Sequence, residues 1–470
     1  MKRIYKFLII IVLLFGSLIS NAQNDGITMT LLPHLSYNNF YNPAIPTESK
    51  IVFGLGISNI GFSAYNSSIR YNNLYGFENG KASYIDANKF INSLDEHDNF
   101  INTNFSLDIA RFGIKVKKLF IDANWRVRYN GEFHYSRDFL GFFINGNGNY
   151  LGADNPADFS IGTDINMFSE MSVGLQYAIN DKLTIGIRPK LLNGIANISI
   201  NDDNTYIYTD ENTYEMTGDV NINMKASTVL DADINRLSQV GDCLNSIGFS
   251  EMFNFKENLG FGIDLGASYI FNKHIGVAMG VYDLGFIKWK NTKEKHIYKD
   301  NVVLNDALID DFENLSNLNL DLTTLYSDLL KDVWDNDSIY PGEDYKTSLK
   351  TRIMLQGYYE FIPMARFTAI AQMYYVKEKM RPALTIAYSG SFFRLLNVTA
   401  SYTVSKYVGN SIGAGFGVNL GPLNIYAVTD NIMILTNLHT STMKMLTSYK
   451  SANFRIGMVF TLGKVKQENK

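Results

Sequence analysis

The chain has 470 residues, with 36 Gly, 29 Tyr and 31 Phe but only 9 Pro and one cysteine, and its formal charge is −4. So mild an acidity favours neither nucleic acid nor an anionic membrane surface as partner, and a lone cysteine excludes an intramolecular disulfide. Mean hydropathy is −0.07, and past the N-terminus no stretch approaches the ~18 apolar residues of a spanning helix, which excludes a helical membrane protein.

Lys2, Arg3 and Lys6 precede a short apolar run from Phe7 to Phe15, and Ser20-Asn21-Ala22 offers small residues for cleavage. This is the pattern of a secretory signal over residues 1–22. Cleavage leaves 448 residues (470 − 22) and, with three cations gone, a charge of −7. Residues 23–50 contain Asn42, Pro43, Ala44 and Pro46. Two prolines so close oppose both helix and central strand, so the segment is expected as an ordered turn or plug.

From residue 51 alternation of period two takes over. A strand over Ile51–Ser58 and a partner over Phe62–Tyr71 are expected. Asn104–Val116 changes phase near Ala110-Arg111-Phe112, the mark of a bulge or a strand end. In Leu119–Asn130 an apolar face including Trp125 opposes Asp122, Arg126 and Arg128. Two neighbouring arginines cannot be buried in a dry core, so this face meets water, in a lumen or outside a soluble sheet. A short apolar helix is expected over Arg137–Ile144. Strands follow at Met171–Ile179 and at Leu183–Leu192, where Arg188 joins the polar face. A more polar pair over Ile195–Thr209 and Asn212–Ala226 reads as strands reaching beyond a bilayer, and Leu230–Lys256, with Cys243, as helical.

Residues 260–290 form one long hairpin. Phe261, Ile263, Leu265, Ala267 and Tyr269 alternate with Gly262, Asp264, Gly266 and Ser268, and a second Asp-Leu-Gly begins at Asp283. Asp264 and Asp283 could serve as a general acid–base pair or as lumen architecture. Trp289 between two lysines, like Trp125, reads as a membrane-interface residue. Residues 290–345 are dense in acids and carry helical leucine spacing, the pattern of an amphipathic lid. A regular meander closes the chain, ending in a strand over Ala452–Leu462 that bears Arg455, then a charged tail over 464–470.

Together these define an all-β, transmembrane antiparallel barrel over residues 51–463, of about 14 to 16 strands, with an N-terminal plug and short helices in its loops. A soluble exported β-protein is the alternative. No His-x-x-x-His pair, nucleophile elbow or dinucleotide loop in strand–helix context occurs, so no enzyme, metal or cofactor is expected.

Asn42-Pro43-Ala44 before the first strand, joined to Asp264-Leu265-Gly266 and Asp283-Leu284-Gly285, resembles a family of FadL/PorV-like outer-membrane barrels of unknown function. The aromatic-rich closing strand is of the kind the barrel-assembly machinery reads, and the resemblance implies an outer-membrane barrel of about 14 strands, surrounded by lipid and plugged by its N-terminal segment. FadL-type barrels pass hydrophobic molecules through a lateral opening, whereas PorV-like ones act as shuttles or scaffolds for secreted proteins. The first expectation is therefore passage of a hydrophobic or small amphipathic solute. The second is a docking barrel for a secreted or surface protein, drawn from the acidic stretch 304–335.

Overall fold

A long run of consecutive amphipathic strands satisfies every backbone N–H and C=O in lipid only if the sheet closes on itself. The computed structural model describes residues 26–35, 38–67, 75–78, 81–97, 99–202, 204–229, 255–304, 339–376, 379–405, 410–432 and 451–464. Fourteen strands form a closed antiparallel wall. In chain order they are β1 (Ser49–Asn66), β2 (Asn99–Val116), β3 (Leu119–Tyr135), β4 (Ile161–Ala178), β5 (Leu183–Asp202), β6 (Leu259–Ile270) and β7 (Ile275–Trp289). Then come β8 (Thr351–Ile362), β9 (Ala365–Val376), β10 (Lys379–Phe392), β11 (Leu396–Ser405), β12 (Ser411–Leu420), β13 (Leu423–Thr429) and β14 (Ser451–Lys464). Each pairs with the next, and β14 returns to β1 through pairs such as Phe62↔Phe454. The wall therefore has no free edge.

The two faces are the reverse of a soluble sheet. Phe112, Leu191, Met279, Leu384 and Ile456 are exposed around the outside. Asn397, Thr399, Ser401, Thr403 and Ser405 of β11 are buried inside, where Thr403 meets Thr385 at 2.8 Å and Thr399 meets Ser389 at 3.0 Å. An apolar jacket around a polar interior is the arrangement that lipid demands. No described helix is long and apolar enough to cross a membrane. Six tight turns, at residues 117–118, 179–182, 271–274, 363–364, 393–395 and 421–422, lie at one end. The longer connections after β1, β3, β5, β7 and β13 lie at the other; in outer-membrane barrels the short-turn end is the periplasmic one.

Several expectations change. The two strands expected over 51–71 are one strand, β1, whose phase flips at a bulge. Phe53 pairs with Phe460 but Asn59 with Gly457, leaving three extra residues on β1. A phase flip reads in sequence as a strand end. Next door, Asp108 pairs with Arg126 and Ala110 with Trp125, so Ile109 is extra. The two bulges sit side by side.

Part of the expected acidic lid is strand. Lys293–Leu304 pairs with Met216–Thr228, for example Ile222↔Ile297. Alternating charge on a sheet above the bilayer is simply solvated, so charge density there is no helix signal. The six strands of the 20-stranded sheet outside the wall build this extension (20 − 14). The acids between Asp306 and Asp332, Cys243, the signal sequence and tail residues 465–470 lie outside the described residues. The loop helix runs Arg137–Asn145, with Ser136 Oγ accepting from Phe139 N at 3.1 Å as N-cap.

Candidate functional site

Residues 26–35 and 38–45 run inside the barrel. Their contacts reach strands around the whole circumference, which only a segment within the lumen can do. Met29, Leu32, Leu35, Phe40 and Tyr41 pack on Val52 of β1, Phe120 of β3, Tyr426 and Val428 of β13 and Val459 of β14. Ile27 and Leu31 pack on Tyr282 of β7, Met354 of β8, Ile370 of β9 and Ala387 of β10. Burying a large apolar side chain is worth about 2 kcal/mol and a net hydrogen bond about 1 kcal/mol. Packing therefore holds the segment, and hydrogen bonds set its register.

Those bonds begin at its start. Asp430, just after β13, accepts from Gly26 N at 3.0 Å and from Thr28 N at 2.8 Å, and Thr28 Oγ1 lies 2.9 Å from Ser401 Oγ. Midway, one helical turn spans Asn38–Tyr41. Arg188 Nη1 donates to Phe40 O at 2.6 Å and its Nη2 to Asn39 O at 3.1 Å, satisfying carbonyls at the end of that turn. Arg111 donates to Asn39 Oδ1, and Asn39 Nδ2 donates to Asp122 Oδ2 at 3.2 Å. The Phe40 ring stands among the guanidinium groups of Arg126 (4.6 Å), Arg188 (4.9 Å) and Arg111 (5.7 Å).

Asn42, Pro43 and Ala44 form a turn in which Asn42 Oδ1 accepts from Ala44 N at 3.0 Å. The turn lies on a trough made by two glycines in register, Gly186 of β5 and Gly266 of β6. A Cβ at Gly186 would collide with the Pro43–Ala44 main chain, and one at Gly266 would stand 3.2 Å from Ala44 Cβ. Gln176 Nε2 donates to Pro43 O and to Ile45 O, both at 2.7 Å, and Ser268 Oγ donates to Ala44 O at 2.8 Å. The Asn-Pro-Ala turn thus rests on the glycine of the first Asp-Leu-Gly. Pro46 follows as an exposed residue of the exit toward β1.

The wall behind Phe40 is a neutral ionic lattice. Four cations (Arg126, Arg128, Arg188, Lys190) meet four carboxylates (Asp122, Glu170, Asp264, Asp283). Arg126 reaches Glu170 at 2.8 Å, Arg128 reaches Asp283 at 2.9 Å, and Arg188 reaches Asp122 at 3.1 Å. Lys190 Nζ bridges Asp264 and Asp283, each at 2.6 Å. Asp283 has φ +55° at the register shift between β6 and β7, and its N–H donates to Asp264 Oδ1 at 2.8 Å. The paired Asp-Leu-Gly motifs therefore fix a bulge. Both carboxylates are engaged by cations, Asp264 by Lys190 and Asp283 by Lys190 and Arg128.

Asp122, Arg126, Arg128, Arg188, Asp264 and Arg455 all point inward, Arg455 beneath the Tyr41 ring at 5.4 Å. Trp125 is on the outer wall in the middle of β3, donating to Ser169 Oγ at 2.8 Å. Trp289 is corrected: it is 0% exposed, donates to Thr347 Oγ1 at 2.7 Å and packs with Phe168, Leu192, Ile287 and Leu349. The bulge at Asp283 inverts the phase of β7, so a residue counted as outward turns in. Sequence reasoning missed Arg111, Glu170, Gln176 and Lys190, each an inward polar residue of an alternating strand. It also missed Phe120, Val428 and Val459, apolar residues on polar faces that mark where the segment lies.

Outside the bulged wall lies an apolar groove of 760 Å³, lined by Phe53, Leu55, Phe112, Trp125, Leu191 and Phe261 among others. Arg111 and Asn124 contribute to its floor. Among the described residues no three His, Cys, Asp or Glu side chains converge as a metal-ligand set.

A closed wall with an apolar jacket, a polar interior and its own N-terminal segment inside defines a transmembrane barrel of the outer-membrane type. The chain belongs to the family of unknown function DUF5723, whose model matches residues 43–430. No curated protein matches the sequence. Similar solved structures include a Pseudomonas aeruginosa FadL homologue, with 10% identity, 95% of this chain and 99% of that chain covered, and a TM-score of 0.48. The Pseudomonas putida toluene transporter TodX gives 9%, 94% and 98%, and 0.42. The Ralstonia pickettii toluene transporter TbuX gives 9%, 92% and 94%, and 0.39.

Proposed function

We propose that this chain is an outer-membrane barrel that lets a hydrophobic or small amphipathic solute pass down its gradient, with residues 26–48 as the plug and the bulged β1–β2 wall as the way out. One observation carries the reading: the plug and the apolar groove lie on opposite sides of the same bulged wall. Arg111 belongs to both, bonding Asn39 inside and forming groove floor outside. A solute leaving there enters lipid without crossing the aqueous face, so its apolar surface stays out of water. Displacing the plug locally loosens Arg111 and Asp122, which hold that wall in place. No energy-coupling or catalytic step is involved.

The test is permeability of liposomes carrying the full-length barrel or a variant lacking residues 24–46. Faster entry of a small hydrophobic probe through the variant supports the plug. Equal entry through two properly folded barrels rejects it. A docking role draws on the acids between Asp306 and Asp332 alone, and specific cross-linking from that stretch to one protein in intact cells would favour it instead.

A further inference from the structure

The short-turn rim of the barrel is more basic than the net charge of −4 suggests. At the periplasmic end Lys50, Lys117, Lys118, Lys182, Lys273 and Arg394 are all exposed. Three acids share that end. Glu48 is bound to His34 at 2.7 Å, Glu360 Oε1 accepts from Met364 N at 3.3 Å, and Asp181 lies in the turn with Lys182. Four of the six tight turns carry an exposed cation, so the charges are spread around the rim instead of gathering in one sector. The opposite end is mixed: it holds Asp86, Asp95, Glu96, Asp154, Asp210, Glu211 and Glu215 together with Lys89, Lys225, Lys290, Lys293, Lys299 and Lys346.

Beside these cations stand exposed apolar side chains. Phe393 is 96% exposed next to Arg394, Phe271 is two residues from Lys273, and Val116 adjoins Lys117. An apolar anchor beside a cation at three of the turns suits a plane where acyl chains give way to anionic headgroups. An acidic protein would need the charges on one face, and a free anion would need them converged. A ring at one level fits a leaflet.

We infer that the periplasmic rim is a binding surface for anionic phospholipid headgroups, the lysine and arginine side chains meeting headgroup phosphates while Phe271 and Phe393 enter the acyl region. The full-length protein is equilibrated in mixed micelles of equimolar dioleoylphosphatidylglycerol and dioleoylphosphatidylcholine, and retained lipid is counted by native mass spectrometry. The wild type should retain the anionic lipid in preference by about fivefold or more. The variant Lys117→Gln/Lys118→Gln/Lys182→Gln/Lys273→Gln should bring the ratio near one, and Lys117→Gln/Lys118→Gln alone should give an intermediate ratio. Lys89→Gln/Lys225→Gln/Lys346→Gln, at the other end, should leave the preference in place. Equal retention by the wild type overturns the inference, as does an unchanged preference in both turn variants. Equal loss on neutralising the mouth lysines overturns it too, since only total charge would then matter.

Discussion

Gly186 pairs in register with Gly266 across β5 and β6, and the missing side chains are the space in which Pro43 and Ala44 lie. Gly186→Leu fills that space from the wall. The main chain of the turn must move, losing the two Gln176 bonds and the Ser268 bond, each worth about 1 kcal/mol. The variant should still show the heat-modifiable gel mobility of a folded barrel, while its N-terminal segment becomes open to protease in detergent. A segment as protected as in the wild type would mean that the trough does not position it.

Arg188 supports the turn and neutralises Asp122 together. Arg188→Met removes both bonds to the Asn39 and Phe40 carbonyls and leaves Asp122 buried without this partner. Breaking one side of a buried pair costs about 3–5 kcal/mol, so the thermal transition in detergent should fall clearly. Adding Asp122→Asn should recover part of the loss, because the uncompensated charge disappears. A double variant no more stable than the single one would assign the whole effect to the carbonyl bonds.

Trp125 and Trp289 occupy opposite faces of the wall. In variants retaining a single tryptophan and reconstituted into brominated phospholipid, Trp125 should be strongly quenched, since it lines the lipid-facing groove. Trp289 should be nearly unaffected. Similar quenching of the two would place Trp289 at the lipid boundary after all.

How much of this the sequence disclosed depends on periodicity. Strand faces such as Leu396–Ser405 were legible because side chains alternate without exception, and the barrel follows from their repetition. The bulges were visible only as phase changes. One, near Ala110, read as a bulge or a strand end, the one after Phe53 read as a strand end, and the one at Asp283 turned Trp289 from outside to inside. The Asn42-Pro43-Ala44 turn could be singled out from its prolines, but its seat on Gly186 and Gly266 joins residues more than 140 positions apart and leaves no local trace. The lattice was half visible, as arginines requiring a polar surrounding. Its anions, Glu170 above all, could be matched only once strand register was known. The rim cations were hidden by the total charge, which averages them with the acids of the rest of the chain.

The central claim is that the N-terminal segment must leave the lumen wall for solute to pass. Thr28 Oγ1 and Ser401 Oγ are 2.9 Å apart, close enough for a Thr28→Cys/Ser401→Cys pair to form a bond of about 2 Å, with Cys243→Ser removing the native thiol. In liposomes the oxidised protein should admit a small hydrophobic probe more slowly than the wild type, and reductant should restore the wild-type rate. The same rate oxidised and reduced, with the cross-link verified by mass, would contradict the account.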